Sequence, residues 1–89
     1  MALNETELNH IREVARAYGA TRVILFGSSL DPARKARDLD LAFDGVPGWK
    51  LYELGAKLEE LLQTSLDIVP LSPATRFTKL IEAKGRALL

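Results

Sequence analysis

Apolar residues recur along this chain with two periods, one typical of helices and one typical of strands. Over residues 4–19 they return at three- and four-residue steps, which predicts a helix with one buried stripe. Asn4 and Glu7 have the spacing of a capping box at its start, and Gly19 supplies its stop. The helical period returns over residues 49–63. The two stripes consist of Leu8, Ile11, Val14, Ala15 and Tyr18 in the first helix and Leu51, Leu54, Leu58, Leu61 and Leu62 in the second.

Three short segments have the pattern of strands. The run "RVILF" (22–26) is apolar, rich in β-branched residues and closed by Gly27, which predicts a buried strand. The segment "DLDLAF" (38–43) alternates between apolar and polar positions, as a half-buried strand does. The segment "SLDIVPL" (65–71) predicts a third strand.

The end of the chain predicts one more helix. Ser72 is a suitable N-cap, Pro73 suits the first helical position, and Gly85 is the expected stop. The final "RALL" is either a tail or a short strand. The order α-β-β-α-β-α predicts an α/β (α+β) fold in which helices cover a small mixed sheet. The apolar line of this last helix is Phe77, Leu80 and Ile81.

Composition narrows the function classes. With 89 residues, we expect a single domain spanning 1–89. Twelve Lys and Arg balance twelve Asp and Glu, so bulk charge gives no reason to expect a membrane or general nucleic-acid binder. There is no cysteine, which excludes disulfides and a cysteine nucleophile. A signal peptide and a membrane span are both missing from the pattern, which predicts a soluble cytoplasmic protein.

Two carboxylates stand one residue apart on the second predicted strand. Alternation puts Asp38 and Asp40 on the same face, with Cα atoms about 6.5–7 Å apart. Asp67 has the same phase on the third strand, so we expect all three on one face, at the carboxyl side of the sheet. Repelling carboxylates stay ionised when cations neutralise them, and oxygen ligands suit Mg²⁺. The alternative is that the acids are simply solvated on an open face.

Other candidate binding residues precede the acids. Gly27 permits close backbone approach, and the Ser28 hydroxyl with turn amides could hold phosphate oxygens; the pair could equally be an ordinary strand-ending turn. Arg34, Lys35 and Arg37 could neutralise a triphosphate, or form a solvated basic loop.

The combination "LFGS", "DLDLAF" and "LDIVPLS" resembles the nucleotidyltransferase superfamily of DNA polymerase beta, and specifically its minimal nucleotidyltransferase (MNT) branch. The spacer between Ser28 and Asp38 holds nine residues, one fewer than is common in that family. The resemblance implies ATP as nucleotide donor and two Mg²⁺ ions. It assigns the catalytic and metal-binding roles to Asp38, Asp40 and Asp67, and nucleotide binding to Gly27, Ser28, Ser29, Arg34 and Arg37.

The resemblance also implies a partner. MNT proteins are usually antitoxins of HEPN-domain toxins, so we expect a hetero-oligomer in which AMP is transferred to a tyrosine of the toxin. Two alternatives remain open: an antitoxin that masks its toxin without catalysis, and nucleotidyl transfer to a small molecule. Trp49 and Tyr52, at the start of the second helix, are expected in the core or at its rim, although an exposed Trp49 could contact a partner.

Overall fold

The computed structural model describes residues 3–30 and 38–89. Within these ranges, no helix has the length and apolar character needed to cross a membrane. The elements are α1 (Glu5–Ala17), β1 (Arg22–Leu25), a short 3₁₀ helix (Gly27–Leu30), β2 (Asp38–Asp44), α2 (Gly48–Leu62), β3 (Ser65–Pro70), α3 (Arg76–Lys84) and β4 (Arg86–Ala87).

The strands form a mixed sheet with the order β3-β2-β1-β4. The central pair, β1 and β2, is antiparallel, with Val23 opposite Phe43. β2 and β3 run parallel, joined through α2, and β4 pairs antiparallel with β1. The predicted mixed sheet is therefore confirmed, and the final "RALL" segment supplies a short fourth strand.

One face of the sheet carries the main core. α1 and α2 pack here against residues of β1 and β2, including Val23, Leu41 and Phe43, each at most 1% exposed. The stripes predicted for both helices supply most of the apolar contacts, because a single buried stripe matches a single sheet face. The Asn4 and Glu7 capping box at the start of α1 is present, with both reciprocal hydrogen bonds formed.

α3 packs on the opposite face. There Ile81 is buried against Ile24, Ala42 and Leu71 in a second, smaller core. An ion pair adds to this packing where Arg22 Nη2 lies 3.1 Å from Glu82 Oε1. Ala42 has the same strand phase as Asp38 and Asp40, so α3 and the carboxylates share one face of the sheet.

The predicted start of the last helix is wrong. Thr75, not Ser72, is the N-cap of α3, and its side chain accepts a hydrogen bond from Thr78 N at 3.1 Å. The Ser72 hydroxyl instead donates to Asp44 Oδ1 at 2.9 Å. That long-range hydrogen bond ties the segment before α3 to the end of β2, and the helix begins three residues after Pro73.

Several residues expected in the core are exposed. Phe77 and Leu80 were predicted to line the buried side of the last helix, and each is 52% exposed. Leu61 is 44% exposed although it continues the leucine stripe of α2. Trp49 and Tyr52 are exposed at 73% and 85%, so the expectation of core or rim packing is wrong for both. On α2 and α3, therefore, some apolar side chains lie outside the part of the helix that packs on the sheet.

Candidate active site

The three aspartates predicted from strand alternation lie on one face of the sheet. Asp40 and Asp67 are register partners across the parallel strands β2 and β3, and Asp38 is partnered with Ser65. Register partners in a parallel pair point to the same side, with Cα atoms about 4.8 Å apart. Asp38 and Asp67 are exposed to solvent, and Asp40 is half-buried beside them.

The prediction that the three aspartates lie at the carboxyl side of the sheet was wrong. Asp38 is the first residue of β2 and Asp67 the third of β3, so the cluster lies at the amino ends of these parallel strands. It lies at the carboxyl end of β1 alone, because β1 runs antiparallel to β2. Alternation fixes the face of a side chain but carries no information about which end of the sheet it occupies.

Gly27 brings the turn after β1 against the Asp40 carboxylate. The residue has φ +65°, in the left-handed region, and a Cβ built on it would lie 2.6 Å from Asp40 Oδ2. The backbone is held in place by Phe26 N, which donates to Asp40 O at 3.1 Å. A glycine is required here both for its conformation and for the space that the carboxylate occupies.

Ser29 has a role that sequence reasoning missed. Its side chain is 2% exposed, and its Oγ accepts a hydrogen bond from Asp40 N at 2.8 Å. The prediction that Ser29 binds nucleotide stays a prediction; the observed contact makes it a positioning residue for the strand that carries Asp40. A buried hydroxyl eleven residues before the acid leaves no local sequence signal, because the contact depends on how the turn folds back.

Three of the predicted nucleotide-binding groups fall outside the described part of the chain. These are the side chain of Ser28 and the whole of Arg34 and Arg37. Of the phosphate-binding set, the structure therefore describes the position of Gly27, the backbone of Ser28 and the whole of Ser29.

The donor chemistry of the cluster fits a hard divalent cation. Asp38, Asp40 and Asp67 offer only carboxylate oxygens, which suit Mg²⁺ better than they suit zinc or copper. Within residues 3–30 and 38–89, however, no three acidic or histidine side chains are already gathered tightly enough to form a closed metal site. Two exposed carboxylates on neighbouring strands would have to turn inward to share one ion.

Asp44, at the far end of β2, has a structural role. A hydrogen bond from Ser72 and then one from Arg22 hold the pKa of its carboxyl below its usual range. Arg22 Nη2 lies 3.0 Å from Asp44 Oδ2, and Gly45 N donates to Asp44 Oδ1. Asp44 shares the face of Asp38 and Asp40, but its carboxylate is engaged by these hydrogen bonds and the ion pair with Arg22.

Two cavities lie on opposite faces of the sheet. A cavity of about 500 Å³ separates α2 from β3, with Leu51, Leu66 and Ile68 in its wall, on the side away from the carboxylates. A second, of about 290 Å³, lies between α3 and the turn after β1 and includes Phe26 and Gly27. The second cavity adjoins the acidic cluster through Gly27. It was not predicted, because Phe77 was expected to be buried.

Comparison with protein-family models and with curated protein sequences gave no match. Solved structures do match this chain in fold. A tri-AMPylated HEPN toxin in complex with its MNT antitoxin, from Shewanella oneidensis, includes a chain with TM-score 0.76 and 22% identity, over 98% of this chain and 72% of that one. A toxin–antitoxin structure with AMP-PNP matches with TM-score 0.76 and 26% identity, over 98% and 73%.

A third structure, of a candidate minimal nucleotidyltransferase, is nearer in length. It matches with TM-score 0.73 and 28% identity, over 91% of this chain and 88% of that chain. All three share the mixed sheet and the helices around it over nearly the whole of this sequence. In fold, therefore, the chain is similar to a candidate minimal nucleotidyltransferase and to the chains of these MNT toxin–antitoxin structures.

Proposed function

We propose that this protein is an Mg²⁺-dependent nucleotidyltransferase that moves AMP from ATP to a tyrosine hydroxyl of a HEPN toxin, for which it is the antitoxin. One observation carries the proposal: Asp38, Asp40 and Asp67 share one face of the sheet, and the glycine turn packs directly against Asp40. We further propose that it acts as a single domain, in the cytoplasm, within a hetero-oligomer with that toxin.

The comparisons support the reaction class and the partner. One matching structure contains an AMPylated HEPN toxin beside an MNT antitoxin, and another contains the ATP analogue AMP-PNP. In the part of the chain that the structure describes, three α-helices surround one four-stranded sheet, and the matching structures cover 98% of the chain.

The reaction requires little covalent chemistry from the protein itself. The acceptor oxygen attacks the α-phosphorus, the bond from that phosphorus to the bridging oxygen breaks, and pyrophosphate leaves as the hydroxyl proton is lost. Catalysis of such a transfer comes chiefly from positioning and from stabilising negative charge. Mg²⁺ held by the aspartates would neutralise the charge on the phosphates.

Contacts within the chain position the aspartates that are proposed to hold Mg²⁺. Ser29 and Phe26 fix the backbone on either side of Asp40 through hydrogen bonds to its N–H and C=O. Asp67 is set by the register of β3 against β2. Near Asp67, an acceptor hydroxyl entering from solvent would find a carboxylate able to take its proton.

The test is whether AMP becomes covalently attached to the partner protein. Incubated with Mg²⁺, ATP and its cognate HEPN protein, the wild-type chain should add about 329 Da per AMP to the partner, seen by intact mass spectrometry. Asp38→Asn and Asp40→Asn should still co-purify with the partner and leave its mass unchanged. Glu60→Gln is the matched control, since it makes the same carboxylate-to-amide change at an exposed site on α2, and it should transfer AMP normally.

The same variants separate the two other functions. If the partner's mass never changes, and both aspartate variants neutralise toxicity as well as wild type does, the protein is a masking antitoxin without catalysis. If the partner is unmodified while a small hydroxyl compound gains AMP, the acceptor is a small molecule. The exposed Asp38 and Asp67 share one face with the half-buried Asp40, which favours the catalytic function, because binding alone gives no use for the repulsion between carboxylates.

A further inference from the structure

An apolar cavity adjoins the turn that is proposed to hold the phosphates. Its volume is about 290 Å³, near the lower end of the range for small-ligand sites. Gly27 belongs both to this cavity and to the contact with Asp40, so the two sites share a wall. The cavity is on the face of the sheet that α3 shares with the carboxylates. The side chains around it include Phe26, Leu30, Phe77, Leu80, Ile81 and Lys84.

The aromatic lining has an open side. The Phe26 and Phe77 rings meet edge to face, with centroids 5.9 Å apart and planes at 82°. Phe77 nevertheless remains 52% exposed, as does Leu80 one helical turn further on. An edge-to-face pair leaves one ring face available, and aromatic faces stack well with flat heterocycles.

We propose that this cavity holds the base of the donor nucleotide, stacked against Phe77, while the phosphates extend past Gly27 toward Asp40. The inference rests on the proposed function and adds to it the location of the base. The occupant follows from continuity: a ligand whose phosphates lie at the glycine turn has its nucleoside end directed either to solvent or into this adjoining apolar cavity. The aromatic and aliphatic lining favours the cavity.

The side chains that line the cavity also determine how strongly the site distinguishes one nucleotide base from another. Among the described residues that line the cavity, Lys84 carries the one charged side chain, and the others offer no side-chain amide, hydroxyl or carboxylate. An ammonium donates hydrogen bonds but accepts none, and both purines present ring-nitrogen acceptors. Stacking is tolerant of base identity. ATP and GTP should therefore bind with affinities within about fivefold of each other.

The experiment compares ATP with inorganic tripolyphosphate, which has the phosphates but no base, by calorimetry in the presence of Mg²⁺. The wild type should bind ATP about tenfold or more tightly than tripolyphosphate. Phe77→Ala should reduce that ratio to about twofold and leave tripolyphosphate affinity unchanged. Phe77→Tyr, which keeps the ring, should keep the ratio. Tyr52→Ala removes a more exposed aromatic ring on α2, away from this cavity; it is the control and should change neither affinity.

Each outcome decides. A ratio that is the same in Phe77→Ala as in the wild type overturns the base site, and AMP transfer to the partner would then stand by itself. A wild type that binds neither ligand overturns the proposed function and the base site with it. Because Phe77 is half exposed, its truncation should not unfold the protein, and an unchanged melting temperature verifies this.

Discussion

The Asp40 carboxylate occupies the space that a side chain at position 27 would need. A Cβ on Gly27 would come within 2.6 Å of Asp40 Oδ2, and the backbone of Gly27 has a positive φ of 65°. The glycine of the turn and the second aspartate of the strand therefore form one structural unit. A change at either residue disturbs the other.

Gly27→Ala should destabilise the protein and impair the cluster together. The left-handed backbone costs a non-glycine residue roughly 1–2 kcal/mol, and the new methyl group would push the Asp40 carboxylate aside. Urea denaturation measures the first effect and ATP binding with Mg²⁺ the second. Gly48→Ala is the control, because a Cβ there meets nothing within 4 Å. Equal stability and binding in the two variants would contradict the tight contact.

Ser29→Ala should lower stability by roughly 1–3 kcal/mol, because it removes a buried acceptor from the Asp40 N–H. The measurement is the denaturation midpoint at constant m-value. Ser65→Ala, at an exposed strand position, should change stability by less than about 0.5 kcal/mol. If Ser29→Ala matched Ser65→Ala, the hydrogen bond would contribute nothing to holding β2.

Millimolar Mg²⁺ together with ATP should raise the melting temperature of the wild type by several degrees, since ligands that bind only the native state stabilise it. For a domain of this size, 1 kcal/mol corresponds to about 4–8 °C. Asp40→Asn should remove most of the rise, while Glu60→Gln should keep it. A full rise in Asp40→Asn would mean that the ions and nucleotide bind elsewhere.

Acid should unfold the protein partly through Asp44. Hydrogen bonds from Ser72 and Arg22 lower the pKa of this carboxyl in the folded state from its ordinary 3.8. The unfolded chain then binds the proton more readily, so the stabilisation is complete above about pH 4 and is lost as pH falls through the folded-state pKa. Asp44→Asn should be less stable than the wild type at neutral pH, and the gap should narrow in acid.

The readout for Asp44 is the free energy of unfolding as a function of pH. Ser72→Ala should give an intermediate curve, because it removes the first of the two hydrogen bonds and leaves the Arg22 contact. Parallel curves for wild type and Asp44→Asn down to pH about 3 would show that the Asp44 pKa is unchanged by folding.

Sequence alternation was sufficient to predict the shared face of the aspartates. A strand has a period of two, so the phase of Asp38, Asp40 and Asp67 follows from the neighbouring leucines and isoleucine, and the parallel register then brings Asp40 beside Asp67. The capping box of α1 is equally local, since Asn4 and Glu7 are three residues apart.

The features that were missed depend on contacts between distant segments. Ser72 caps no helix because its hydroxyl is engaged by Asp44, 28 residues earlier in the chain. Phe77 and Leu80 lie on the apolar side of α3 as predicted, but helical periodicity does not tell whether a strand lies opposite them. Whether an apolar side chain becomes core or the wall of an open cavity is decided by the packing of α3 on the sheet.

The strand order has a consequence for the dynamics of the cluster. β3 is an edge strand, paired with β2 on one side alone in the described sheet, whereas β2 lies between two partners. Edge strands open more readily than interior ones, so we expect local openings of β3 to take Asp67 from the cluster while Asp40 stays held by Phe26 and Ser29. A ligand that bridges Asp40 and Asp67 would close that opening, and amide exchange would slow in β3 more than in β1.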